Sequence, residues 1–95
     1  MSALWISHVT VTDAVAYKEY AIRAVPVITD FGDVFLSRGG ASVHIEGQAF
    51  ERHVVVRFPD LETAQACYDS AAYQAALQFA KDASIRSLVI VEETE

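Results

Sequence analysis

Apolar residues recur along this chain with two different periods, and the switches between them mark the elements. Leu4 to Val11 (LWISHVTV) is dense in β-branched and aromatic residues and predicts a strand. Asp13 follows at a natural N-cap position, where its carboxylate can accept from the free amides of a first helical turn. Tyr17, Tyr20, Ala21, Ala24, Ile28 and Phe31 then recur at helical spacing, with Lys18, Glu19, Arg23 and Asp30 mostly on the other side. Pro26 lies inside this run and should bend the helix or tighten its last turns. Gly32 is placed to end it in the left-handed conformation. Asp33 to Ser37 and Ser42 to Glu46 read as one long strand interrupted at Gly39-Gly40, a pair that suggests a bulge or sharp bend. Gly47-Gln48 marks a hairpin turn, and Phe50 to Phe58 predicts a third strand that Pro59 stops. Asp60 caps a second helix with an apolar stripe of Leu61, Ala64, Cys67 and Tyr68. Asp69-Ser70 breaks it, and Ser70 caps a continuation through Tyr73, Ala76, Leu77, Phe79 and Ala80. Ile85 to Val91 is the last strand, and Glu92-Glu93-Thr94-Glu95 reads as a solvated tail.

The order is β-α-β-β-α-β in two halves of about equal length, which predicts a single α+β domain over residues 1–95 with a ferredoxin-like fold. Right-handed crossovers then set strands one and three side by side and parallel in the middle of an antiparallel sheet, with both helices on one face. Alternation turns Val54, Val56 and Phe58 of the third strand toward the helices and leaves His53, Val55 and Arg57 on the open face. On the first strand, Trp5, Val9 and Val11 face the helices, and Leu4, Ile6, His8 and Thr10 face out. An open face carrying Leu4, Ile6 and Val55 should not stay in water. A symmetric homodimer covers it most simply, because it buries the same patch twice.

Composition narrows the function classes. The chain has 95 residues, 53% of them hydrophobic and 21% charged, a globular profile. A domain of this size buries only roughly 60–65% of the surface its unfolded form exposes, so its core is modest. The net charge is −6, with Lys18 and Lys81 and five scattered arginines. A polyanionic backbone needs clustered cations, so neither nucleic acid nor an anionic membrane surface is an expected partner. The single cysteine, Cys67, cannot form an internal disulfide, the first residues do not resemble a signal peptide, and no apolar run approaches the ~20 residues of a membrane span. A cytoplasmic location is the expectation.

Several segments together resemble the domain of unknown function 1330 family. They are Trp5-Ile6-x-His8-Val9-x-Val11 with Asp13 and Tyr17, Phe35-Leu36-x-Arg38-Gly39-Gly40, Glu46-Gly47, Val54-Val55-Val56-x-Phe58-Pro59-Asp60, and Tyr68-Asp69-Ser70 with Tyr73-Gln74. The resemblance spans almost the whole chain and implies a dimeric α/β barrel, in which two four-stranded sheets pack face to face. The family commonly has Ser-Pro-Glu-Tyr where this chain has Ser70-Ala71-Ala72-Tyr73. It carries no settled activity.

The candidate chemistry is sparse. His8 and His53 should stand on adjacent central strands, both on the open face and with Arg57 near them. Imidazole can shuttle a proton and a guanidinium can hold a carboxylate or enolate, so these three are the catalytic candidates. Each histidine could instead be no more than a hydrogen-bonded interface residue. Arg38 precedes the glycines, which allow close approach, so Arg38, Gly39 and Gly40 could line a small-anion site. The alternative is a local ion pair beside a structural bulge. Tyr17, Tyr20, Tyr68 and Tyr73 read as core, and Tyr17 could lend its hydroxyl to a pocket between helix and sheet. His44-x-Glu46 offers two ligands on one strand face without a third, so no metal is expected, and no motif points to a cofactor. Cys67 reads as a buried thiol. Three functions stay open. One is a module that binds a small aromatic or carboxylate-bearing ligand. Another is a cofactor-independent oxygenase, isomerase or lyase using His8 or His53 as proton shuttle. The third is a structural dimer without a ligand.

Overall fold

A computed structural model describes residues 1–32 and 34–94. The chain runs β1 (Ala3–Val11), α1 (Ala14–Asp30), β2 (Val34–Arg38), β3 (Arg52–Phe58), α2 (Leu61–Asp69), α3 (Ala71–Lys81) and β4 (Ser84–Glu92). The four strands form one sheet in the order β2-β3-β1-β4, with every neighbouring pair antiparallel. The ferredoxin-like α+β fold expected from the pattern is present, with two corrections to its details. Strands β1 and β3 are antiparallel, not parallel: after the α1 crossover β2 runs in the direction of β1, one strand removed from it, and the β2–β3 connection reverses the chain so that β3 fills the gap. Residues 42–46 form no strand, because Gly39, at φ +72, ends β2 and residues 39–51 loop back to β3. The expected strand start at Asp33 and the terminal Glu95 lie outside the described residues.

The helix ends follow the capping chemistry. Asp13 accepts from the Ala16 amide at 3.2 Å and Asp60 from Thr63 at 2.6 Å, and this bond holds the Asp60 carboxyl below its ordinary range. Gly32, at φ +80, turns the chain out of α1 and donates to the Thr29 carbonyl. The helix continues through Pro26. Ser70 separates α2 from α3: its hydroxyl donates to the Cys67 carbonyl at 2.7 Å and accepts from the Tyr73 amide at 3.1 Å. One side chain thus ends one helix and starts the next.

All three helices cover one face of the sheet. The core between them holds Trp5, Val9, Val56, Phe58, Cys67, Tyr73 and Ala76, all essentially inaccessible. The Trp5 ring stacks on Phe58 at 5.5 Å between centroids and meets Tyr73 edge-on at 5.2 Å, geometries that aromatic quadrupoles favour. Burial alternates strictly along β1 from Ala3 to Val9, so Leu4, Ile6 and His8 lie on the opposite face. The Cα extents are 35 × 34 × 17 Å, a slab two layers thick whose second sheet face no helix covers. Among the described residues no helix is long and apolar enough to cross a membrane.

Ser70→Ala removes the cap of α3 and the stop of α2 together. Caps of this kind contribute about 1 kcal/mol, so the variant should melt roughly 4–8 °C below the wild type. Differential scanning calorimetry measures this, and an unchanged midpoint would show that the two helices need no cap.

Candidate functional site

Strand alternation builds two distinct surfaces from neighbouring residues. Val9 of β1 lies opposite Arg52 of β3 on one side and Arg86 of β4 on the other. Val9 is fully buried beneath the helices, so both arginines flank it on the helix face. Their Cα atoms stand ~10 Å apart, two strand spacings. The next rung on that face is Arg38, Val54, Ser7 and Leu88 across all four strands. Arg38 joins it through a bulge. The pairing of β2 with β3 shifts between Phe35 and Ser37, so Arg38 falls opposite Val54. Without the extra residue it would oppose His53 and point to the other face.

These side chains enclose a cavity of ≈ 60 Å³ between α1 and the sheet. Arg38, Arg52, Arg86, Ser7, Tyr17 and Tyr20 supply its polar lining, and Ala21, Ala24, Val25 and Ile28 of α1 supply an apolar wall. Arg86 donates through Nη2 to the Tyr20 hydroxyl at 3.1 Å and the Tyr73 hydroxyl at 3.3 Å, and its guanidinium lies 4.8 Å over the Tyr20 ring. The two phenols share an O···O contact of 2.7 Å. One hydroxyl proton bridges them and the other points elsewhere. Arg52 lies against Gly39, where a Cβ would meet its Nη2 at 2.9 Å. Glycine is favoured there by its positive φ of +72, and a side chain would in addition have to push the flexible end of Arg52 aside. The Nε atoms of both Arg52 and Arg86 are buried and have no hydrogen-bond partner. No carboxylate is among the described lining residues, and the ion pairs among the described residues, Arg23–Glu19 and Arg57–Glu93, lie elsewhere.

Burial, with Tyr73 close by, pushes the Tyr20 phenol far above its ordinary value, and burial also raises Tyr17 against the pull of Arg86 and Arg52. Both stay neutral hydrogen-bond donors over the physiological range. Burial weighs against the Arg86 charge, and the surrounding tyrosine oxygens offset it, so the guanidinium stays protonated. The cavity is thus rich in donors and positive charge and poor in acceptors.

On the other face, His8 and His53 sit directly opposite each other, one residue along from Arg52 and Arg86. Their Nδ1 atoms are 2.7 Å apart, so one ring donates and the other accepts. Phe50 packs against His8 at 5.8 Å. A cleft of ≈ 300 Å³ surrounds the pair, lined also by His44, Glu46 and Gln48. His44 and Glu46 reach it from the loop, not from one face of a strand as the sequence suggested. Among the described residues no three histidine, cysteine or acidic side chains form a metal set. Arg57 does not join the histidines: it lies four residues beyond His53 on β3, ~13 Å along the strand. It donates instead to Glu93 at 2.6 and 3.2 Å. That bond, with one from Ser2, holds the Glu93 carboxyl below its usual range. Glu93 is consequently an anchor and not part of a solvated tail. A Cβ on Gly40 would meet the Ser37 hydroxyl only at an ordinary 3.7 Å, so close approach does not call for glycine there. Tyr17 and Arg38 line the cavity, and Cys67 is buried in the core.

Residues 2–94 match the family described as Domain of unknown function (DUF1330). This chain belongs to the DUF1330 family. No curated protein matches it. Among solved structures it is similar to RPA0582 of Rhodopseudomonas palustris, a protein of unknown function, at 14% identity and TM-score 0.78, covering 99% of this chain and 83% of that one. It is similar to SnoaB, a cofactor-independent oxygenase of Streptomyces nogalater, at 7% identity and TM-score 0.66, covering 99% and 94%. It also resembles a dimeric ferredoxin-like protein of unknown function from Thermobifida fusca at 16% identity and TM-score 0.58, covering 98% and 92%. At these identities the likeness is one of fold.

Within this DUF1330 chain, Tyr17 and Arg38, which the sequence put forward for ligand binding, line the cavity and Gly39 lies against Arg52; Tyr20 and Tyr73 entered the reading only as core tyrosines, and Arg52 and Arg86 not at all. A signal was present. Arg52 shares the phase of Val54, Val56 and Phe58, and Arg86 that of Leu88 and Ile90, so each is a charged residue at a core-facing strand position.

The tyrosine environment sets an alkaline limit on stability. Tyr20 and Tyr17 titrate above the ordinary ~10 in the folded chain and at ~10 when unfolded. Their contribution to stability is therefore complete below pH ~10 and is lost as pH rises past it through the folded values. Tyrosinate absorbance should show at least these two phenols ionising late, together with unfolding. Four tyrosines titrating alike near pH 10 in a folded chain would contradict it.

Proposed function

We propose that this chain is a homodimeric binding protein for a small organic carboxylate, held in the cavity between α1 and the sheet. The observation that carries the reading is a cavity lined by Arg38, Arg52 and Arg86 with no carboxylate among its described lining residues, two of these arginines also keeping a buried Nε without a hydrogen-bond partner. A buried guanidinium left short of acceptors costs several kcal/mol that an apolar residue would not. Side chains of this kind persist where an anion supplies the missing acceptors, and guanidinium forks suit carboxylates. The cavity's described lining has no histidine and no acid to move a proton, which favours binding over catalysis there.

The uncovered sheet face supports the dimer. Besides the half-buried Leu4, Ile6 and Val55, it exposes Ile85, Val89 and Val91 at 54%, 52% and 45%. An apolar face of this extent favours a partner surface. The Thermobifida fusca neighbour is described as dimeric. A second reading, a cofactor-independent enzyme, rests on the His8–His53 pair, whose 2.7 Å contact could pass a proton to a substrate in the open-face cleft. SnoaB carries a cofactor-independent oxygenase activity on a similar fold.

Two measurements check this. In a thermal-shift screen of small organic acids, a ligand at a hundred times its dissociation constant should add ~2.7 kcal/mol, a rise on the order of 10 °C. Arg52→Met should abolish the rise, and His8→Ala, on the opposite face, should leave it intact. Loss of the shift in His8→Ala with retention in Arg52→Met would favour the second reading, and no shift with any acid would count against both. Light scattering should give twice the 10.4 kDa chain mass, and Val89→Lys should move the species toward one chain. A wild-type monomer at micromolar concentration would overturn the dimer.

A further inference from the structure

The cavity constrains its occupant beyond the presence of a carboxylate. Its charged donors all come from the sheet strands, and Tyr17 and Tyr20 of α1 add phenolic hydroxyls. Arg86 is held by Tyr20 and Tyr73, and Arg52 lies against Gly39. The exposed Arg38 lies 4.9 Å over the Phe35 ring and belongs to the solvent side. The helix side differs. Ala21, Ala24, Val25 and Ile28 fall at i, i+3, i+4 and i+7, one stripe of α1, and carry no side-chain donor or acceptor. Trp5, Tyr17, Tyr20 and Phe35 add ring surfaces. A second carboxylate or a phosphate turned toward that stripe would be stripped of water and receive nothing from it in return.

Size limits it further. A cavity of ≈ 60 Å³ holds about four to six waters at ~10–15 Å³ of accessible space each. Their liquid volume, ~30 Å³ apiece, comes to roughly 120–180 Å³. That is the scale of one six-membered ring bearing a carboxylate.

Building on the carboxylate reading above, we infer that the cavity takes a single-ring aromatic monocarboxylate, its carboxylate between Arg52 and Arg86 and its ring against the Ala21–Ala24–Val25–Ile28 stripe. The carboxylate accepts from the terminal guanidinium nitrogens of Arg52 and Arg86 and from the phenolic proton that the Tyr20–Tyr73 pair does not use. The ring displaces water from an apolar wall that water wets poorly. Ala24, whose methyl leaves room at that wall, is the residue that sets the permitted size.

Isothermal titration calorimetry of the wild type with benzoate, succinate, inorganic phosphate and benzyl alcohol tests this. Benzoate should bind at least ten-fold tighter than the other three, and Arg52→Met and Arg86→Met should each weaken it at least ten-fold. Ala24→Leu should exclude benzoate while leaving a folded circular-dichroism spectrum. The wild-type ranking stands as the test if that variant does not fold. Succinate or phosphate binding more tightly than benzoate, with dependence on Arg52, would overturn the ring assignment and leave the anion reading standing. Benzyl alcohol matching benzoate, benzoate affinity surviving both arginine substitutions, or no binding by any of the four would overturn the inference and the anion reading together.

Discussion

Two guanidinium groups enclosed between a helix and a sheet without a carboxylate are the constraint around which the rest of this molecule is arranged. Arginine does not relieve such burial by losing its proton. The charge must be met by oxygens, and here the Tyr20 and Tyr73 hydroxyls meet only part of it. Arg86 keeps one buried nitrogen unmet, and Arg52 keeps another. In a domain of 95 residues with a modest core, that is a large concession, and functional sites are where such concessions persist. The α1 residues over the cavity are small or aliphatic, so the helix closes the site without neutralising it.

The period of two in a β-strand separates this site from the histidines. Arg52 and His53 are consecutive, yet one faces α1 and the other the open sheet face. A ligand in the cavity cannot touch the His8–His53 pair, because the sheet lies between them. The two candidate chemistries, anion recognition and proton transfer, therefore occupy opposite sides of β1 and β3. Arg38 shows how sensitive this division is: a single bulged residue in β2 decides which side receives its charge.

Much of the fold was legible because each element had a local cause. Asp13, Asp60 and Ser70 announced helix starts, Gly32 a stop, and the period of two assigned Trp5 and Val9 of β1 to the buried face although both sides of that strand are apolar. The meeting of His8 and His53 followed from that phasing. The strand expected over 42–46 failed because alternating polarity persists in a loop when Gly39 has already turned the chain away. Arg57 was misplaced because position along a strand, unlike face, depends on register, which pattern alone does not set. The bulge that redirects Arg38 left no mark in composition. The arginines at 52 and 86 were readable in principle, but a charged residue among apolar strand positions is easily assigned to an edge until its partners are known.

The precision of the cavity comes from the well-packed half of the core. Ser70 fixes the first turn of α3 and accepts from the Tyr73 amide itself. The Tyr73 ring is then held edge-on by Trp5, which stacks on Phe58. With ring and backbone both fixed, the Tyr73 hydroxyl has little freedom, and it orients Tyr20 and Arg86 through short bonds. Donors immobilised before a ligand arrives lose little entropy on binding it. Dispersion and aromatic contacts behind the cavity wall thereby set where its charge points, and the helix cap at Ser70 becomes part of the site's geometry.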